Sequence, residues 1–136
     1  MTGAERNWSH DTTLEATPLS ASGARAFVSL HLVDHQLMYL VDPVRLVVSE
    51  LATNALLHGQ TSFVVTLSRA DDTVRVMVSD DSAWLQRSDG APEHALQAGG
   101  RGLGIVQVLS RDWGVIAGED SKTVWATFDT VQGVAS

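Results

Sequence analysis

Glu50, Asn54 and His58 recur every fourth residue in the run Ser49-Glu50-Leu51-Ala52-Thr53-Asn54-Ala55-Leu56-Leu57-His58-Gly59. On a helix that spacing stacks them on one face and leaves Val44, Val47, Val48, Leu51 and Ala55 as the opposite, buried stripe. A carboxylate and a carboxamide in register suit a magnesium ion and the phosphates it accompanies. Further along, Gly99-Gly100-Arg101-Gly102-Leu103-Gly104 opens a helical run with backbone N–H groups that no Cβ screens from an anion. Acid plus amide in one place and a phosphate cradle in the other suggest ATP with Mg²⁺.

Each run also has a plainer reading. Glu50 with Asn54 fits the solvated polar face of an amphipathic helix, and the glycines fit a flexible helix entry. The glycine run lacks the third glycine of the dinucleotide fingerprint and the Gly-Lys-Ser/Thr of the P-loop. His31 and His35 sit at helical spacing with Asp34 between them. Without a third convergent ligand they read as surface residues and not as a metal site. His58 equally suits the C-terminal end of its helix. Trp113 and Trp125 read as core and edge packing, and Trp84 as a partner contact.

The elements that must position these groups follow from periodicity and punctuation. Trp8 to Ala16 alternates loosely, as an edge strand does, and Pro18-Leu19-Ser20 reads as a stop followed by a helix cap. A helix to about His35 follows, with Ala24, Phe27, Val28, His31 and Leu32 at near-helical spacing. Asp42-Pro43 starts the Glu50–Asn54 helix, and Gly59 ends it. Ser62–Arg69 and Thr73–Asp80 read as a hairpin with Phe63, Val65, Leu67, Val74, Val76 and Val78 inward and Arg75 and Ser79 outward. Asp81 to Gly99 loses alternation and reads as a mobile loop. A helix from about Gly102 to Arg111 and a hairpin of Trp113–Ala117 with Lys122–Phe128 close the domain, ahead of a frayed tail from Val131. Helices grouped between antiparallel strands predict an α+β fold, a two-layer sandwich whose mainly antiparallel mixed sheet carries its helices on one face.

The composition narrows the function classes. The 136 residues fit a single domain spanning 1–136, and 44% hydrophobic with 18% charged residues is a globular balance. No apolar run approaches the ~18 residues of a membrane span, and the first residues carry no secretory pattern. With no cysteine there is neither a disulfide nor a thiolate site, and a cytoplasmic location is expected. A net charge of −7 argues against direct nucleic-acid binding while leaving room for basic protein partners.

Over roughly Ser20 to Phe128 the chain resembles the ATPase superfamily of gyrase, heat-shock chaperones and histidine kinases, which shares the Bergerat fold. Within it the small size most resembles the bacterial anti-sigma factor serine kinases. Glu50-Leu51-Ala52-Thr53-Asn54-Ala55 matches the N-box, Asp80 ends a strand as the adenine-binding aspartate does, and Gly100-Arg101-Gly102-Leu103-Gly104 matches the second glycine box. Lys122-Thr123-Val124-Trp125 resembles the closing strand, whose threonine lies near adenine. The first glycine box departs from the pattern. Here Asp80-Asp81-Ser82-Ala83-Trp84 lacks both of its alternating glycines.

The resemblance implies roles for particular residues. Asn54 would hold Mg²⁺ and Glu50 would act as base toward a serine hydroxyl. Asp80 would accept from the adenine amino group with Thr123 in support. Ser82, Gly100, Arg101, Gly102, Leu103 and Gly104 would line the rest of the ATP site, under a lid formed by Asp81–Gly99. The implied protein is a homodimeric serine/threonine kinase acting on an anti-anti-sigma partner and sequestering a sigma factor in transcription regulation. The alternative is a non-catalytic interaction module on the same fold, with the nucleotide site weakened by the altered first box.

Overall fold

The computed structural model describes residues 7–58, 62–80, 102–118 and 121–130, without the side chains of residues 57, 58, 102 and 103. In chain order the elements are β1 (Asn7–Leu14), α1 (Ser20–Asp34), a 3-10 turn (Met38–Leu40), α2 (Val41–His58), β2 (Phe63–Ala70), β3 (Thr73–Asp80), α3 (Gly102–Leu109), β4 (Asp112–Ala117) and β5 (Lys122–Asp129). The loop expected at 81–99, the stop at Gly59 and the tail from Val131 lie outside the described residues.

The strands form one sheet in the order β1-β2-β3-β5-β4. Every pair is antiparallel, so the mixed sheet allowed for above resolves to antiparallel pairing among the described residues. Alternation along each strand assigns one face to the core. Phe63, Val65 and Leu67 of β2, Val74, Val76 and Val78 of β3, and Val124, Ala126 and Phe128 of β5 are buried there. Against them pack Ala24, Val28 and Leu32 of α1, Val44, Val47, Val48, Leu51 and Ala55 of α2, and Val106 of α3. Burying this much branched aliphatic surface supplies the main driving force for the fold, at roughly 25 cal/mol per Å².

Ser20 does not cap α1. The N-cap position is Leu19, and no side chain caps the helix. The buried Ser20 hydroxyl instead sits against the carbonyl oxygens of Glu15 and Thr17 and accepts the Thr17 N–H at 3.0 Å, fastening the turn that precedes the helix. At the other end Gln36 takes φ 64°, and the Leu37 N–H reaches back to the Leu32 carbonyl at 2.8 Å while the Gln36 N–H bonds Val33. That is a Schellman stop built on glutamine where glycine is usual. It turns Leu37 into the core and sets the start of the 3-10 turn, which the Tyr39 hydroxyl ties to the Thr130 carbonyl.

Among the described residues no helix is long and apolar enough to cross a membrane.

Candidate functional site

α2 touches both β3 and α3, as well as β5, so it lies against the central strand that ends in Asp80 and the helix that begins at Gly102. Its apolar stripe faces the core as expected. The opposite face is less exposed than a solvated polar stripe. Asn54 is only 5% exposed, whereas Glu50, one turn earlier, is half-buried. A short carboxamide can be enclosed only where its donors and acceptors find partners, in the protein or in a ligand. Around it, Thr53 donates to the Ser49 carbonyl at 2.8 Å, and Arg25 of α1 donates to the Ser49 hydroxyl at 3.0 Å.

Asp80, the last residue of β3, is buried on the core face, paired with Phe63 of β2 on one side and Lys122 of β5 on the other. Lys122 is the chain's sole lysine, and its side chain is sealed from solvent. Burial pushes its ammonium below the usual lysine range, and the Asp80 carboxylate pulls the other way. A buried carboxylate with a buried cation beside it is a strong acceptor in a poorly solvated setting.

The structure does not bring Thr123 to Asp80. Successive residues of a strand point to opposite faces, so a register of Asp80 with Lys122 turns Thr123 to the open side. There its hydroxyl shares a 2.7 Å hydrogen bond with Ser79. Lys122, which sequence reasoning passed over, occupies the place beside the carboxylate. A register shifted by one residue would have exchanged the two.

The glycine-rich entry is described from Gly102 onward, as the first turn of α3. A Cβ placed on Gly104 would meet nothing within 4 Å, and the residue is exposed. Packing among the described residues therefore gives no reason for glycine here, which leaves its backbone open to an approaching group. Ser82, Gly100 and Arg101 lie outside the described residues, as do the side chains of Leu103 and His58.

A match to the family described as the histidine kinase-like ATPase domain covers residues 14–128. The chain belongs to the histidine kinase-like ATPase domain family. Among curated proteins no significant match is found. Of solved structures, the RsbU and RsbW domains of Rv1364c from Mycobacterium tuberculosis superpose with a TM-score of 0.64 at 22% identity, over 89% of this chain and 32% of that one. The chain thus spans about a third of that structure, and at this identity the likeness is one of fold. For an ATPase domain of this family the donor set is chemically apt. An enclosed carboxylate suits an exocyclic amino group, an oxygen-bearing carboxamide suits a hard cation, and an unobstructed glycine N-terminal turn suits phosphate.

His31 and His35 are not simple surface residues, because His10 of β1 stacks on the first and hydrogen-bonds the second. Even so, among the described residues no group of three or more histidine, aspartate or glutamate side chains is arranged to hold a metal ion.

Proposed function

We propose that the chain is a Mg-ATP-binding regulator of the anti-sigma factor kinase type. The observation that carries this reading is the enclosure of Asp80 at the end of β3, on the strand against which the Glu50–Asn54 helix packs. Asp80 would accept the adenine amino hydrogens, with Lys122 keeping the carboxylate charged and in place. Asn54 would present its side-chain oxygen to Mg²⁺, and the backbone N–H groups of Gly102, Leu103 and Gly104, with Gly100, Arg101 and Ser82, would complete the phosphate site. When bound, Mg-ATP supplies the transferable phosphoryl group. Glu50, half-buried and one helical turn from Asn54, would accept the proton of a serine hydroxyl on an antagonist protein. The partners would be that antagonist and a sigma factor, held by a homodimer in the cytoplasm.

Titration calorimetry with ATP, with and without Mg²⁺, tests the site. Micromolar, Mg-dependent binding that is lost in Asn54→Ala is expected, and absence of heat at any accessible ATP concentration overturns the reading. If ATP binds, Glu50→Ala should abolish phosphoryl transfer to a serine-bearing partner while ATP binding persists.

A second reading has two features in its favour. Lys122 already competes for Asp80, and the first glycine box has lost its glycines. Together these features suit a protein-binding module whose nucleotide site has closed. Partner binding that is indifferent to ATP and to Glu50→Ala would establish it.

A further inference from the structure

Among the described residues β1 is an edge of the sheet, hydrogen-bonded along one side, to β2. Its core-facing side chains Trp8 and His10 reach α1 through a cluster of rings. His10 stacks on His31 with centroids 3.9 Å apart and planes 13° from parallel. Trp8 stacks on His35 at 3.9 Å and 5°. The Nε2 atoms of His10 and His35 lie 3.0 Å apart. Phe27 closes the cluster edge-on against His31. The Trp8 indole N–H is sealed from solvent and has no hydrogen-bond partner among the described residues, so Trp8 is held by its stack on His35, its tilted contact with His10 and packing against the core. His35 itself is fixed by the Schellman stop, in which its N–H bonds the His31 carbonyl at 3.0 Å.

We propose that His10, His31 and His35, with Trp8, form an acid-sensitive latch that fastens β1 to α1 while at most one imidazole is protonated and releases the strand when a second proton arrives. The chemistry follows from the donor count. Between two neutral imidazoles, one N–H donates to the other's bare nitrogen, and a single added proton leaves an N–H⁺···N bond intact. Trp8, stacked on His35, also tolerates a cation there. A second proton on the pair sets two N–H donors facing each other at 3.0 Å, and once the pair shares a proton, one on His31 sets a second positive charge against the stacked His10 ring.

The charged groups facing the cluster do not cancel this effect. Asp34 of α1 favours protonation of His31, but Arg69 of β2, which stands opposite Trp8, brings a positive charge to the same recess of about 220 Å³ as Asp34, His35 and Gln36. From β1 itself, Asp11 alternates to the open face of the sheet. Burial, then His10 and then His35, push the His31 pKa below the ordinary histidine value of 6.5, with Asp34 opposing. The native state therefore takes up fewer protons than the unfolded chain. The latch is at full strength above 6.5 and is lost as the pH falls below that value.

Amide hydrogen exchange on the intact protein tests this between about pH 7.5 and about pH 5, with rates corrected for intrinsic exchange. Protection of the β1 amides should fall at least roughly tenfold relative to β3, and His10→Gln, which keeps a hydrogen-bonding amide but cannot titrate, should flatten the dependence. Parallel change in β1 and β3, or an unaltered dependence in His10→Gln, overturns the latch. Should that variant not fold, histidine ring NMR of the wild type decides. A His31 titration displaced below that of free imidazole is expected, and one that coincides with free imidazole overturns the proposal.

Discussion

Asp80 and Lys122 face each other across the β3–β5 ladder on the core side of the sheet, while the adjoining Ser79–Thr123 pair closes its hydrogen bond on the open side. The two pairs are neighbours in sequence and opposites in environment, because side chains alternate along a strand. On the proposed reading the carboxylate would have two claimants, the ammonium and a base amino group. An ionised carboxylate has two oxygens and about four lone-pair directions, so it can serve an ammonium and a base amino group together. On the proposed reading, Lys122 would therefore support nucleotide recognition as long as it leaves one oxygen of Asp80 accessible.

The coupling between these side chains is open to a double-mutant cycle. Removing the carboxylate with Asp80→Asn leaves a buried ammonium beside a neutral amide, which should cost about 3–5 kcal/mol of stability. Adding Lys122→Met removes the orphaned charge and should restore most of that loss, giving a coupling well outside experimental error in urea denaturation. Additive effects would mean that the two groups do not meet.

Gly104 separates binding from folding. Since a Cβ there meets open space and the residue lies inside α3, Gly104→Ala should leave the fold intact and raise stability by up to about 1 kcal/mol through helix propensity. If phosphate approaches this turn, the same methyl group should weaken ATP binding. A thermal melt and a calorimetric titration on one sample read both effects. A more stable variant with unchanged ATP affinity would remove Gly104 from the site.

Much of this arrangement was legible before any coordinates, for reasons that differ by element. The valine-rich alternation of 63–67 and 74–78 and the apolar stripe from Val44 to Ala55 carry their burial in their periods. The partner of Asp80 across the β3–β5 ladder carries less of a signal. The alternation of Val124, Ala126 and Phe128 does place Lys122 on the core face and Thr123 on the other, but that Lys122 stands directly opposite Asp80 is decided by the register of strands far apart in sequence. His10 escaped notice for a similar reason. The spacing of His31 and His35 is local, whereas their third partner arrives on β1 through tertiary packing. Ser20 looked like a cap because serine commonly is one, yet the turn at Glu15–Thr17 captured its hydroxyl first.

On the open face, Trp125 lies across Gly114 of β4. A Cβ at that glycine would come within 2.7 Å of the indole ring. Gly114→Ala must therefore displace the ring from the recess it shares with Arg75, Met77 and Ile116, at a cost of about 1–3 kcal/mol. Tryptophan fluorescence should shift with the loss of stability, and shortening the ring in the double variant with Trp125→Leu should relieve it. A Gly114→Ala protein as stable as wild type would show that the strand gives way more easily than the ring contact implies.

Gln36 offers the opposite case, a residue with a side chain where the backbone favours none. Its φ of 64° disfavours a Cβ, and the hydrogen bonds of the helix stop are made by backbone groups that any residue supplies. Gln36→Gly should relieve the strain, and the extra freedom of glycine in the unfolded chain offsets only part of the gain. A net stabilisation of about 0.5–1 kcal/mol is expected, visible as a higher melting temperature. The side chain also lines the recess with Asp34, His35 and Arg69. Destabilisation by Gln36→Gly would thus mean that its amide contributes more to holding that recess, and with it the end of α1, than the backbone strain costs.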